Sequence, residues 1–66
     1  MKKEDAKYRI RELWLQRPKS ERTMVPDVMS FFKYLERQHP ELLEFESHVD
    51  KYQVVRAFVN DLIEKQ

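Results

Sequence analysis

The two histidines and the acidic residues between them are the side chains of this chain most able to do chemistry. His39 and His48 flank a segment that contains Glu41, Glu44 and Glu46. Zinc sites usually combine thiolates or histidines at short, defined offsets, and this spacing matches no common pattern. We therefore expect no metal site, with His39 capping the end of a helix and His48 lying in a solvated loop.

The sequence offers few groups for catalysis. Acid–base catalysis needs carboxylates or histidines in a partly dry cleft, and a 66-residue chain of short helices has little room for one. Glycine is absent, although phosphate-binding loops and nucleophile elbows depend on it. We expect a protein that is not an enzyme and that binds no cofactor and no small-molecule substrate.

Charge is unevenly spread along the chain, although the formal net charge is only +1. Residues 1–22 contain eight Lys and Arg against four acidic residues, a net charge of +4. Residues 23–66 contain five Lys and Arg against eight acidic residues, a net charge of −3. Such asymmetry indicates a charged partner without distinguishing protein from nucleic acid.

Of the two alternatives, a nucleic-acid partner and a protein partner, nucleic-acid binding makes the more specific prediction. The segment from Pro40 to Phe45 and the helix after Asp50 could form a helix-turn-helix. It would use Gln53, Arg56 and Asn60 to contact base edges, and Lys19 and Arg22 to contact phosphates. Acidic residues on the same helix and an acidic second half weaken this alternative, because DNA recognition needs a coherent positive field.

Side chains outside the apolar stripes favour a protein partner. Most aromatic residues fall at core spacing, but a few Tyr and aliphatic residues do not. The candidate contact residues are Lys7, Tyr8, Arg11, Leu15, Tyr34 and Val54. We expect an interaction module that binds another protein or a second copy of itself; the alternative is a nucleic-acid-binding accessory or regulatory protein.

The elements that position these side chains follow from hydrophobic periodicity. The pattern predicts helices over residues 3–16, 24–38 and 51–65, with a short helical turn over 40–45. Pro18 and Pro40 end the first two helices. Thr23 is the expected N-cap of the second helix, and Asp50 with Gln53 forms a capping box at the start of the last.

These elements predict one all-α domain over residues 1–66, a small three-helix bundle. Trp14 and Phe32 stand at the centres of the first two apolar stripes. The expected core contains Ile10, Leu13, Trp14, Val28, Phe32, Leu35, Leu42, Phe58 and Leu62.

The chain contains no cysteine, which is typical of a reducing compartment. No apolar run follows the charged start, so we expect no signal peptide, no membrane association and a cytoplasmic location.

Overall fold

Three α-helices and three short 3-10 turns follow one another in the computed structural model, which describes residues 2–23 and 25–63. The helices are α1 (Lys3–Leu15), α2 (Val25–Gln38) and α3 (Lys51–Val59). The turns are η1 (Lys19–Glu21), η2 (Pro40–Leu43) and η3 (Asn60–Leu62). The described residues form no strand. The predicted all-α fold, a three-helix bundle with a short helical turn before the last helix, is confirmed.

Thr23 and Asp27 are joined at the start of α2. Thr23 donates twice to the Oδ2 atom of Asp27, from its backbone nitrogen at 3.0 Å and from its hydroxyl at 3.3 Å. The role of Thr23 as the N-cap of α2 stays a prediction, because Met24 lies outside the described residues. The carboxylate of Asp27, in the first turn of the helix, accepts both bonds and also complements the helix dipole.

The helix α3 begins as expected and ends early. The side chain of Asp50 accepts a hydrogen bond from the backbone nitrogen of Tyr52, which is the predicted N-cap. The α-helix ends at Val59 rather than near residue 65, and the chain tightens into η3. Residues 64–66 lie outside the described residues.

Side chains of α1 explain this early end. Arg11 donates to the carbonyl oxygen of Phe58 at 2.7 Å, and the indole nitrogen of Trp14 donates to the carbonyl oxygen of Leu62 at 3.4 Å. Carbonyl groups at a helix end need such partners, because no further turn supplies N–H donors. The first helix therefore caps the last.

The core fills the space enclosed by the three helices and η2. Between α1 and α2, the rings of Trp14 and Phe31 meet edge-on with centroids 5.2 Å apart. The described residues of the core are Ala6, Ile10, Leu13, Trp14, Val28, Phe31, Leu35, Leu42, Phe45, Val54, Val55, Phe58 and Val59.

Two residues of the expected core lie at its margin. Phe31 is fully buried, whereas its neighbour Phe32 is half-buried and packs edge-on against Tyr52. Successive residues of a helix point in directions about 100° apart around its axis, so Phe31 and Phe32 cannot both face Trp14. The position of Trp14 decides which of the two rings is central. Leu62 is also half-buried, because it lies in η3 beyond the end of α3.

Val54 is buried, with 5% of its surface exposed, so its assignment to an exposed edge of the last helix is wrong. Both α1 and α2 pack against α3. A helix covered from two sides needs a wider apolar arc than a helix with one neighbour. Val54 and Val55 therefore both belong to the core.

No helix in the described part of the chain combines the length and the hydropathy needed to cross a bilayer.

Candidate interaction surface

Two large apolar side chains project from α1 on the side away from the core. Tyr8 is 73% exposed and Leu15 is 51% exposed. They are seven residues apart, which is two helical turns or about 10.5 Å along the axis. Exposed apolar residues are common when single, but a pair aligned on one helix face is typical of contact surfaces.

The side chain between these two residues is fixed in place. Arg11 donates from its two terminal nitrogens to the carboxylate oxygens of Asp61, at 2.6 and 3.0 Å, and also to the carbonyl oxygen of Phe58. Such two-point pairing gives a planar, oriented contact. Hydrogen bonding from Arg11 holds the pKa of Asp61 below its ordinary value, and the same bond raises the pKa of Arg11.

Charged residues complete this surface. Glu12 accepts a hydrogen bond from Arg9 at 2.7 Å, and Lys7 is exposed nearby. We define the α1 face as the residues that fall within an arc of about 100° on the outer side of the helix. Its members are Glu4, Tyr8, Arg11, Glu12 and Leu15.

The structure places three of the six predicted partner residues outside this face. Lys7 is on α1 but falls outside the arc. Val54 is part of the core. Tyr34 lies on α2, half-buried, with its hydroxyl 3.1 Å from the Nε2 atom of His39. The fold therefore keeps four of the six predicted residues together on α1 and separates the other two.

The histidines are in two different environments. The ring of His39 contacts Tyr34 on one side, and its Nδ1 atom lies 3.6 Å from Glu41 on the other. Its backbone nitrogen donates to the carbonyl oxygen of Leu35, which ends α2. His48 is exposed. The described residues contain no group of three or more potential metal ligands, and the expectation of no metal site stays a prediction.

The residues of the nucleic-acid alternative are only partly brought together. Gln53 and Arg56 on α3 and Asn60 at the start of η3 are exposed and line one shallow depression. Lys19 is exposed, but Arg22 is 8% exposed. Its expected role as an exposed phosphate contact is wrong, since the long stem of an arginine can be buried against apolar surface.

Sequence reasoning missed the contact between Arg11 and Asp61, which are fifty residues apart. Their opposite charges and outward positions on two helices were visible, but the register between the helices was not. It also missed the position of Arg17, whose guanidinium lies over the rings of Trp14 and Phe31.

Comparisons of the chain with models of protein families, with characterised proteins and with solved structures find no match. The function must therefore be argued from the side chains of this chain alone.

Proposed function

We propose that this protein is a non-enzymatic interaction module whose α1 face pairs with the same face of a second copy. The observation that supports the proposal is a two-fold symmetry in the chemistry of the face. If two copies of α1 pair antiparallel about a point between Arg11 and Glu12, Tyr8 of each copy meets Leu15 of the other, since Tyr8 lies three residues before Arg11 and Leu15 three residues after Glu12.

Charges obey the same symmetry. At the centre, Arg11 of one copy lies beside Glu12 of the other. Glu12 is exposed, and Arg11 remains partly exposed although it is paired with Asp61. Each of these pairs within α1 is thus apolar with apolar or cation with anion.

The fixed geometry of Arg11 further favours binding. A side chain that is already ordered in the free protein loses little conformational freedom on association. The bonds to Asp61 and Phe58 order Arg11 before any partner arrives. A surface with only two apolar anchors is nevertheless small, so we expect a weak dimer with a dissociation constant on the order of 0.1 mM.

Nucleic-acid binding has less support from the described surface. The three polar residues that line this depression on α3 and η3 include a single cation, Arg56, and the acidic Asp61 is exposed next to Asn60. A phosphate-binding surface needs several cations acting together.

The central test is the mass of the protein in solution as its concentration is raised. We expect wild-type protein to shift from monomer toward dimer, and Leu15→Asp to remain monomeric, because the new carboxylate would be buried in an apolar contact. Leu15 is half-exposed and outside the core, so the variant should keep the helical circular dichroism of the wild type.

Met29→Asp is the matched control. Met29 is 47% exposed on α2, away from the α1 face, so this substitution adds the same charge elsewhere. It should leave association unchanged. A wild-type protein that is monomeric at millimolar concentration would refute self-association. Salt-sensitive binding to mixed-sequence duplex DNA that persists in Leu15→Asp would favour the nucleic-acid alternative instead.

A further inference from the structure

A second surface feature lies where α1 meets η1, and it contains an arginine that has no anionic partner among the described residues. The feature is an open depression of about 300 Å³, lined by Leu13, Gln16, Arg17, Glu21 and Tyr34. None of these residues belongs to the α1 face. Whatever binds here is therefore independent of the proposed pairing.

The guanidinium of Arg17 is oriented by the core beneath it. Its Cζ atom lies 5.9 Å from the ring centroid of Trp14 and 5.5 Å from that of Phe31. A cation held over two aromatic faces is stabilised electrostatically and loses rotational freedom. Both rings are fully buried, so the platform is rigid.

The hydrogen-bonding capacity of this guanidinium is unused within the described chain. The Nε atom of Arg17 is buried and has no partner. The two terminal nitrogens make no hydrogen bond and no ion pair with any described residue, and they are not among the buried atoms. Solvent therefore reaches the end of a cation whose other side is desolvated.

We propose that this depression binds a carboxylate that stands next to an apolar side chain, which is the chemistry of a peptide C-terminus. The two terminal N–H groups of a guanidinium match the two oxygens of a carboxylate. Leu13 and the ring of Tyr34 supply apolar surface for the adjoining side chain, and Gln16 supplies an amide.

The apolar lining of the depression favours a peptide C-terminus over inorganic phosphate. Among the lining residues, Arg17 is the one cation and Glu21 the one acid. Attraction to Arg17 and repulsion from Glu21 both double for a doubly charged anion at the same distance, so charge alone does not select between the two ligands. A C-terminal residue carries a side chain that can contact Leu13 and Tyr34, and phosphate does not.

The test is a titration of isotope-labelled protein followed by NMR, with N-acetyl-leucine as the probe. We expect saturable shifts of the backbone amides of Gln16 and Arg17 and of the Trp14 indole, with a dissociation constant on the order of 1 mM. N-acetyl-leucine amide, which lacks the charge, should cause no shifts. Inorganic phosphate at the same concentration should shift these signals less than N-acetyl-leucine does.

Substitutions at three positions test which side chains bind the carboxylate. Arg17→Gln should weaken binding of N-acetyl-leucine about tenfold or more, whereas Lys19→Gln, which removes the same charge from an exposed position two residues away, should change it less than about twofold. Glu21→Gln should strengthen binding, because it removes the repelling carboxylate. This variant tests the proposal even if Arg17→Gln does not fold.

Three results would overturn the proposal. The first is equal binding of N-acetyl-leucine and its amide, and the second is equal weakening by Arg17→Gln and Lys19→Gln. The third is shifts by phosphate as large as those by the carboxylate. Failure of dimerisation in the mass measurement would leave this site unaffected, because none of its lining residues belongs to the α1 face.

Discussion

At the scale of single residues, the aromatic side chains divide into rings that hold the fold and rings that do not. Trp14 and Phe31 are fully buried and in contact with each other. Phe32, the next residue along α2, is half-buried. Tyr8 makes no contact with the core and is largely exposed. Phe31 and Phe32, which are one position apart, therefore contribute very differently to the fold.

Alanine substitutions of Phe31 and Phe32 on α2 measure how much each ring stabilises the fold. Phe31→Ala should lower the free energy of unfolding by about 3 to 5 kcal/mol, because it removes a fully buried ring and leaves a cavity. Phe32→Ala should cost about half as much, since part of the ring is already in water. Urea denaturation followed by circular dichroism gives both values. If Phe32→Ala were less stable than Phe31→Ala, the assignment of Phe31 to the centre of the core would be wrong.

Periodicity identified α2 and its apolar stripe but not the central ring. Phe31 and Phe32 both lie within that stripe, and the sequence does not record where Trp14 of another helix will pack. The burial of Val54 has a similar cause, because it depends on α3 having two neighbours. By contrast, the cap at Asp50 depends on local spacing, and it was predicted correctly.

At the scale of the elements, α1 and the end of α3 are joined by a polar contact. Arg11 bonds to the carboxylate of Asp61 and to the carbonyl oxygen of Phe58, and Trp14 bonds to that of Leu62. A cation at a helix C-terminus also complements the dipole. This contact was not predictable from either helix alone. It both ends α3 and orders the centre of the α1 face.

The pH dependence of stability reports on this contact. The pKa of Asp61 is lowered in the folded protein by the hydrogen bond from Arg11, so its contribution is present above the ordinary pKa of a carboxyl. That contribution is lost as the pH falls through the lowered value. Arg11 has a raised pKa and stays charged throughout this range.

We therefore expect Asp61→Asn to lower the thermal midpoint at pH 7, and the difference from wild type to shrink below about pH 4. Glu36→Gln is the control, because Glu36 is exposed and forms no ion pair with a described residue. Thermal melts from pH 2 to pH 7 give the comparison. A pH-independent difference for Asp61→Asn would mean that the carboxylate does not stabilise the fold through its charge.

At the scale of the whole molecule, the fold pairs or buries three of the eight cations in the basic first third of the chain. Arg11 is paired with Asp61, Arg9 with Glu12, and Arg22 is buried. The charge asymmetry was plain in the sequence, but the use of these cations depended on the fold. What remains outward on α1 is a mixed face with apolar anchors and both signs of charge.

The central claim is that this face pairs with itself in one antiparallel register, and a double-mutant cycle at Tyr8 and Leu15 tests it most directly. Both side chains are exposed and lie outside the core, so neither change should disturb the fold. In the proposed register, Tyr8 of one copy meets Leu15 of the other. Sedimentation equilibrium at low salt provides the dimer dissociation constant of each variant.

We expect Tyr8→Lys and Leu15→Glu each to weaken the dimer severalfold, and the double variant to recover much of the lost affinity, because the two new charges are opposite and meet in both halves of the interface. The restoration should disappear at high salt, since exposed charges are screened there. If the effects of the two single variants simply add in the double variant, the residues do not meet and the proposed pairing is wrong.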